Sequence, residues 1–173
     1  MADLNLGTYS ADSIDIIISV KGVTHKVSGF GENSVVSIER ARESSRAYLG
    51  ADNSAVRVFD PNKSGTITLT LNQSSSTNDL LTQIQKNDSE NRDSSWLFAV
   101  LVKDNSGRSF YDAKQCYISQ IPSSDFSTDI TERVWVLNAF NLEQHVGGNA
   151  LIDPSVVQAI EAAGGSVEDR WKA

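Results

Sequence analysis

A mainly β fold is predicted for this chain: a β-sandwich or partial barrel with one flanking α-helix and a short C-terminal helical extension. Three observations predict it. About seven runs alternate apolar and polar residues or are dense in β-branched residues, the signature of strands. Ser, Thr, Asn and Asp are abundant and punctuate those runs with turns. Only one internal stretch, Leu80, Leu81 and Ile84, carries a helical apolar stripe preceded by capping residues.

The elements follow in order. Residues 13–20, Ser-Ile-Asp-Ile-Ile-Ile-Ser-Val, read as a strand. Lys21-Gly22 is a turn signal, and Val23 to Ser28 returns as a hairpin. Gly29-Phe30-Gly31 interrupts the pattern, and Val35 to Glu39 is a third strand. Residues 40–62 form a long loop. Arg40, Arg42, Glu43 and Arg46 give it mixed charge, and it holds a short strand-like run, Val56 to Phe59. A loop of this length inside a compact domain is uncommon and is often a binding element. Composition by itself favours a solvated excursion carrying a short edge hairpin.

Residues 64–71 alternate cleanly, with Ile67, Leu69 and Leu71 on one face and Thr66, Thr68 and Thr70 on the other. Ser76, Thr77 or Asn78 can cap a helix over about 77–87, ahead of a polar loop, Asp88 to Asp93. Residues 96–104 are nearly continuously apolar, which suggests a strand covered on both faces. Asn105-Ser106-Gly107 turns the chain back into 108–121, and Thr131 to Leu142 is the last long strand. Val146-Gly147-Gly148-Asn149 reads as a flexible joint. Asp153-Pro154 then opens a short helix that Gly164-Gly165 stops. The expected division is a β-sandwich domain over 1–142 and a C-terminal extension over 143–173.

With 173 residues the chain is long enough for one domain with a real core. A net charge of −7 and a pI of about 4.7 disfavour binding to phosphate backbones and to anionic lipid. No apolar stretch approaches the roughly 20 residues that span a bilayer, so no membrane anchor is expected. Met1 to Asn5 lack the basic start of a secretory signal. A single cysteine, Cys116, excludes an internal disulfide and reads as a buried apolar group rather than a nucleophile.

Catalytic chemistry leaves little trace. His25 and His145 have no second histidine at metal-ligand spacing, and one cysteine cannot build a zinc site. Gly29-Phe30-Gly31-Glu32 lacks the third glycine of a dinucleotide loop, and Lys63-Ser64-Gly65-Thr66 leads into a strand where a phosphate loop leads into a helix. Asp12 with Asp15, and Asp125 with Asp129, are possible carboxylate pairs whose default is solvation. The chain therefore reads as a binding or assembly protein, with no enzyme activity, cofactor or metal expected.

The order of segments carries a resemblance. GFGENSVVSIER (29–40), GADNSAVRV (50–58), NKSGTITLTLNQSSSTNDLL (62–81), FAVLVKDNSG (98–107) and ERVWVLNAFNL (132–142) occur in one arrangement. Over residues 10 to 142 this resembles the tail tube proteins of contractile-tailed bacteriophages, to which tailocin and type VI secretion tubes are related. The resemblance implies a structural virion protein whose subunits form hexameric rings that stack into a hollow tube, the conduit for DNA ejection. It implies as partners the chain itself, a tail sheath protein, a tape-measure protein, and baseplate and tail-terminator proteins. Double-stranded DNA would pass without specific binding. The location implied is the virion tail, assembled in the cytoplasm of the bacterial host.

Under that reading the inter-subunit contacts are expected at Arg40, Arg42, Arg46, Tyr48, Asp52 and Asn53. The extension is expected to pack outside the tube or clasp a neighbour. Thr66, Thr68 and Thr70 are expected to face the lumen, because neutral hydrated hydroxyls let DNA slide. The alternative for the threonines is the solvent face of an antiparallel sheet. The alternatives for the whole chain are a lectin-like β-sandwich, a monomer or small oligomer, exposing Tyr111, Tyr117 and Trp135, or the tube of a tailocin or type VI secretion-like system.

Overall fold

The computed structural model describes residues 6–173, so the reading of Met1 to Asn5 lies outside it. Ten strands and two α-helices follow in chain order: β1 Ile14–Val20, β2 Val23–Lys26, β3 Val36–Arg40, β4 Ser45–Leu49, β5 Ala55–Phe59, β6 Gly65–Asn72, α1 Thr77–Asn91, β7 Phe98–Asp104, β8 Phe110–Gln120, β9 Glu132–Ala139, β10 Leu142–His145 and α2 Pro154–Ala162. Eight strands form one antiparallel sheet in the order β2-β1-β7-β8-β9-β6-β3, with β10 also on β8; among the described residues, β4 and β5 pair only with each other.

The sheet curls around a single core because β8 serves both halves. Its first residues, Phe110 to Ala113, pair with β7 on one side and β10 on the other. Its later residues, Cys116 to Gln120, pair with β9. The register with β7 shifts between Phe98 and Val100. Such an irregularity bends a strand and increases its twist, so one long strand can turn the sheet back on itself. Ile16 and Ile18 of β1, Ile67, Leu69 and Leu71 of β6, Phe98 and Val100 of β7, and Trp135 and Leu137 of β9 meet in the interior. Leu81 and Ile84 of α1 join them.

Several expectations are met by local chemistry. Lys21 and Gly22 both take positive φ, 48° and 81°, the conformation a two-residue hairpin turn needs. Asp153 and Pro154 take the N-cap and first helical positions of α2. Cys116 is fully buried, and its Sγ–H donates to the Ala113 carbonyl at 3.6 Å. Burial pushes its thiol pKa up to about 12. The unfolded thiol ionises near 9, so this contribution to stability is complete below that pH and is lost as pH rises from 9 towards 12. A thiol reagent at pH 8 is expected to label Cys116 only in denaturant; rapid labelling of the native protein would contradict this packing.

Other expectations are corrected. Helix α1 runs to Asn91, past the predicted end at Asn87. Its polar last turn is held by its own side chains: Ser89 Oγ donates to the Lys86 carbonyl and Asn91 Nδ2 to the Asn87 carbonyl. Arg92, with φ 49°, closes it. At the other end, Ser76 makes no side-chain cap, and Ser75 Oγ accepts from the Thr77 N–H at 3.3 Å instead. The predicted strand 131–142 stops at Ala139, and Leu142 to His145 form a separate strand on β8. The main sheet thus continues across residue 142. β7 is not covered on both faces, since Leu101 is exposed opposite a half-buried Ile17.

The glycine joint is tied down. Ser109 Oγ donates to the Gly147 carbonyl and accepts from the Gly147 N–H, and the Arg108 N–H donates to the Gly148 carbonyl. A Cβ at Gly147 would come within 2.5 Å of Arg108, so glycine is what lets the two backbones approach. Arg108 also donates to the Ala150 carbonyl at 2.7 Å and lies 4.7 Å from the Trp171 ring. The extension is thereby folded back on the β7–β8 turn.

Candidate assembly interface

The β4–β5 ribbon occupies residues 45–59 and stands apart from the main sheet. Its register puts Arg46 opposite Val58 and Tyr48 opposite Val56, so these four share one face. Ser45 with Phe59, Ala47 with Arg57, and Leu49 with Ala55 share the other. Both faces are therefore largely apolar. Tyr48, Leu49, Val56, Val58 and Phe59 are all exposed, Tyr48 at 61%. A lone two-stranded hairpin is marginal in water, and a contiguous exposed apolar surface marks an interaction site.

The six expected contact residues divide into four roles. Arg40 ends β3, and its Nη2 donates to the Leu142 carbonyl at 3.1 Å; this guanidinium is spent inside the subunit. Arg42 lies 3.7 Å from Asp60 at the ribbon's base. Arg46 and Tyr48 project from the ribbon. Asp52 and Asn53 build its tip. Hydrogen bonding from Ser54, its side chain first and then its backbone N–H at 3.1 Å, holds the Asp52 carboxyl below its ordinary pKa. Asn53 takes φ 64°, and its N–H donates to the Gly50 carbonyl.

Thr66, Thr68 and Thr70 share the face of β6 that points away from the core. Thr66 and Thr68 are half-buried. Thr70 is 6% exposed, because Gly31 lies over its methyl; a Cβ there would sit 2.7 Å from Thr70 Cγ2. Of the three, Thr70 is thus closed off within the subunit. The neighbouring strands extend this face by register. Glu39, Thr66, Asn138 and Tyr117 form one row, and Ser37, Thr68, Val136 and Gln120 the next. The rows carry one acid and no base. Asn138 Nδ2 donates to the Tyr117 hydroxyl at 3.1 Å, which ties β9 to β8 across the first row.

The aromatic cluster of the lectin-like alternative is not assembled. Trp135 is buried at 2% exposure, and its Nε1 donates to Asn78 Oδ1 of α1 at 2.9 Å. Tyr111 packs against the core. His25 is bonded to Thr77 Oγ1 at 2.9 Å, and His145 stacks on Phe110 at 5.3 Å. Asp15 pairs with Lys26 at 2.6 Å and accepts from Asn105 Nδ2. These two bonds, Lys26 first, lower its pKa.

The sequence profile of the family described as "Bacteriophage PhiTE tail tube protein" matches residues 6–147, from the segment before β1 to just past β10. The chain belongs to this phage tail tube family. A tail tube protein is a structural component of the virion, and the ribbon and the Thr-bearing sheet both lie within the matched span. The chain is 36% identical over 166 residues to "Structural protein ORF10" of Pseudomonas phage KPP10, covering 95% of this chain and 96% of that one. Coverage that high carries the alignment past residue 147 into the C-terminal extension.

Among solved structures, the tail tube protein resembles the sheath/tube terminator of an extracellular contractile injection system, PVC, in its extended state. The TM-score is 0.50 at 16% identity, over 80% of this chain and 97% of that one. It also resembles a chain of the PVC sheath-tube complex, with a TM-score of 0.46 at 18% identity over 76% and 88%. The likeness to the terminator is one of fold.

Sequence reasoning missed one exposed feature, the β8–β9 loop, where Ile121, Phe126 and Ile130 all face solvent. The signal was present as apolar residues set among Ser, Thr and Asp, a pattern that reads as an ordinary turn.

Proposed function

We propose that this tail tube protein polymerises into stacked hexameric rings that form the inner tube of a contractile tail, a hollow conduit for DNA ejection. The observation that carries the reading is the β4–β5 ribbon, largely apolar on both faces and, among the described residues, paired with no other strand. It needs cover on both sides, which neighbouring copies provide. Among the described residues, β2 and β3 end the curled sheet with unpaired edges. Pairing such edges between subunits removes an aggregation hazard and closes a barrel.

The lumen is assigned to the outer face of β3, β6, β9 and β8, with Thr66 and Thr68 at its centre. DNA carries about one charge per 1.7 Å of duplex, and the rows through Thr66 and Thr68 offer no base to hold it. The sheath surrounds the tube, a tape-measure protein occupies the lumen during assembly, and baseplate and tail-terminator proteins meet its ends. Assembly takes place in the host cytoplasm.

Negative-stain microscopy of the purified protein tests the reading: rings or tubes are expected, and a stable monomer at high concentration would refute it. The lumen assignment has its own test. Phage carrying Thr68→Lys are expected to build tails of normal length but lose at least about tenfold in DNA delivery, since repeated cations along the bore retain phosphate. Unchanged delivery would move the lumen to another face.

A further inference from the structure

The β8–β9 loop, residues 121–131, is a hydrogen-bonded projection that carries the exposed apolar side chains of Ile121, Phe126 and Ile130. Arg133 is buried, yet among the described residues it has no carboxylate partner. Its guanidinium is spent on the loop: Nη1 donates to Thr131 Oγ1 at 2.7 Å, and Nη2 to the Asp125 carbonyl at 3.3 Å. The same group lies 5.6 Å from the Phe126 ring. Thr131 Oγ1 donates to the Asp125 carbonyl, and Ser127 Oγ to the Asp129 carbonyl. This bracing fixes the backbone on both sides of a phenylalanine that is 82% exposed. An aromatic fixed in advance loses little entropy on binding, which is how interface anchors act.

Its position names its partner. β6 and β9 pair from Gly65 opposite Ala139 to Asn72 opposite Glu132. The β4–β5 ribbon leaves the sheet at the Gly65 end, where Arg40 of β3 pairs. The β8–β9 loop leaves at the Glu132 end. At about 3.4 Å per residue the two features are roughly 24 Å apart, at opposite ends of one strand pair. Complementary surfaces at opposite ends of a molecule make head-to-tail contacts, which propagate copies along an axis.

The chemistry is also complementary. The loop flanks Phe126 with Asp125 and Asp129 and adds Ile121 and Ile130. One face of the ribbon presents Tyr48, Val56 and Val58 beside Arg46, which makes no ion pair among the described residues.

We propose that the β8–β9 loop of one copy is the seat for the β4–β5 ribbon of the next copy along the tube. Phe126 and Ile130 meet Tyr48, Val56 and Val58, and Asp125 and Asp129 receive Arg46. The proposal rests on the assembly reading above and adds the surface that the ribbon engages.

Cross-linking tests it. Tyr48→Cys chains and Phe126→Cys chains are mixed, assembled and treated with a short bismaleimide. Native Cys116 is buried and does not compete. The expected result is a covalent dimer holding one chain of each kind, at least tenfold more abundant than dimers from either variant alone. Tubes without that dimer overturn the proposal and leave the assembly reading standing. A wild-type chain that forms neither rings nor tubes overturns both. Should a cysteine variant not assemble, charge exchange decides. Arg46→Glu is expected to abolish tubes, and Asp125→Arg with Asp129→Arg in the same chain to restore them; no recovery overturns the proposal.

Discussion

A chain in which residues 45–59 are replaced by a short Gly-Ser link is expected to fold with an unchanged melting temperature and to form no tubes. The excision is geometrically mild, because the Asp60 N–H donates to the Ser44 carbonyl at 2.9 Å and so already closes the ribbon's base. It removes nothing from the interior: β5 is exposed throughout, and only Ser45 of β4 is half-buried. It does remove Tyr48, Leu49, Val56, Val58 and Phe59, the five exposed apolar side chains assigned to the proposed contact. Fully burying a side chain of this size contributes about 1.5–3 kcal/mol, so losing several at every contact leaves the proposed ring stacking without its main driving force. Sedimentation and negative stain read assembly, and thermal unfolding reads the fold. Tubes of normal length from the excised chain would refute the role given to the ribbon. A collapsed melting temperature would show instead that the ribbon supports its own subunit.

The second large effect is on stability. Trp135→Ala is expected to destabilise the subunit by about 3–5 kcal/mol, the range for truncating a large buried aromatic. Trp135 pairs with Leu69 in the β6–β9 register and bonds Asn78 of α1, so it joins sheet to helix. Much of the stability of an ordinary domain, about 5–15 kcal/mol, depends on such a residue. Trp135→Phe keeps most of the packing and removes the N–H donor, with an expected cost nearer 1–3 kcal/mol as Asn78 loses its partner. Urea unfolding of both variants measures the two parts. A loss below about 1 kcal/mol for Trp135→Ala would be incompatible with the packing described, given the cavity it must leave.

How much of this was legible in the sequence depends on the range of the forces involved. β6 was readable because its buried and half-open faces alternate with the pleat from Gly65 to Asn72, with Thr70 the one residue that departs from the pattern. The turn at Lys21-Gly22 and the start of α2 at Asp153-Pro154 were readable because backbone preference is local. The tube resemblance was readable because several such segments stand in a fixed order, and the family match from 6 to 147 spans them.

What the sequence hid is set by partners far along the chain. Leu142 to His145 become a strand only because Phe110 to Ala113 present an open edge to them. The glycines at 147 and 148 look loose in sequence and are fastened because Arg108 and Ser109 supply hydrogen bonds from about 40 positions away. Arg40 reads as a free surface cation until the Leu142 carbonyl is placed beside it. Thr70 reads like Thr66 and Thr68 until Gly31 is laid over its methyl.

The sequence by itself thus determined the strand-rich class, the main turns, the buried thiol and the family. Only the tertiary structure decided which cations are free to meet a neighbour, which threonines stay open, and that the ribbon and the β8–β9 loop leave opposite ends of the sheet. Alternation and turn preference act within a few residues, whereas strand pairing and side-chain burial join residues that the chain keeps far apart.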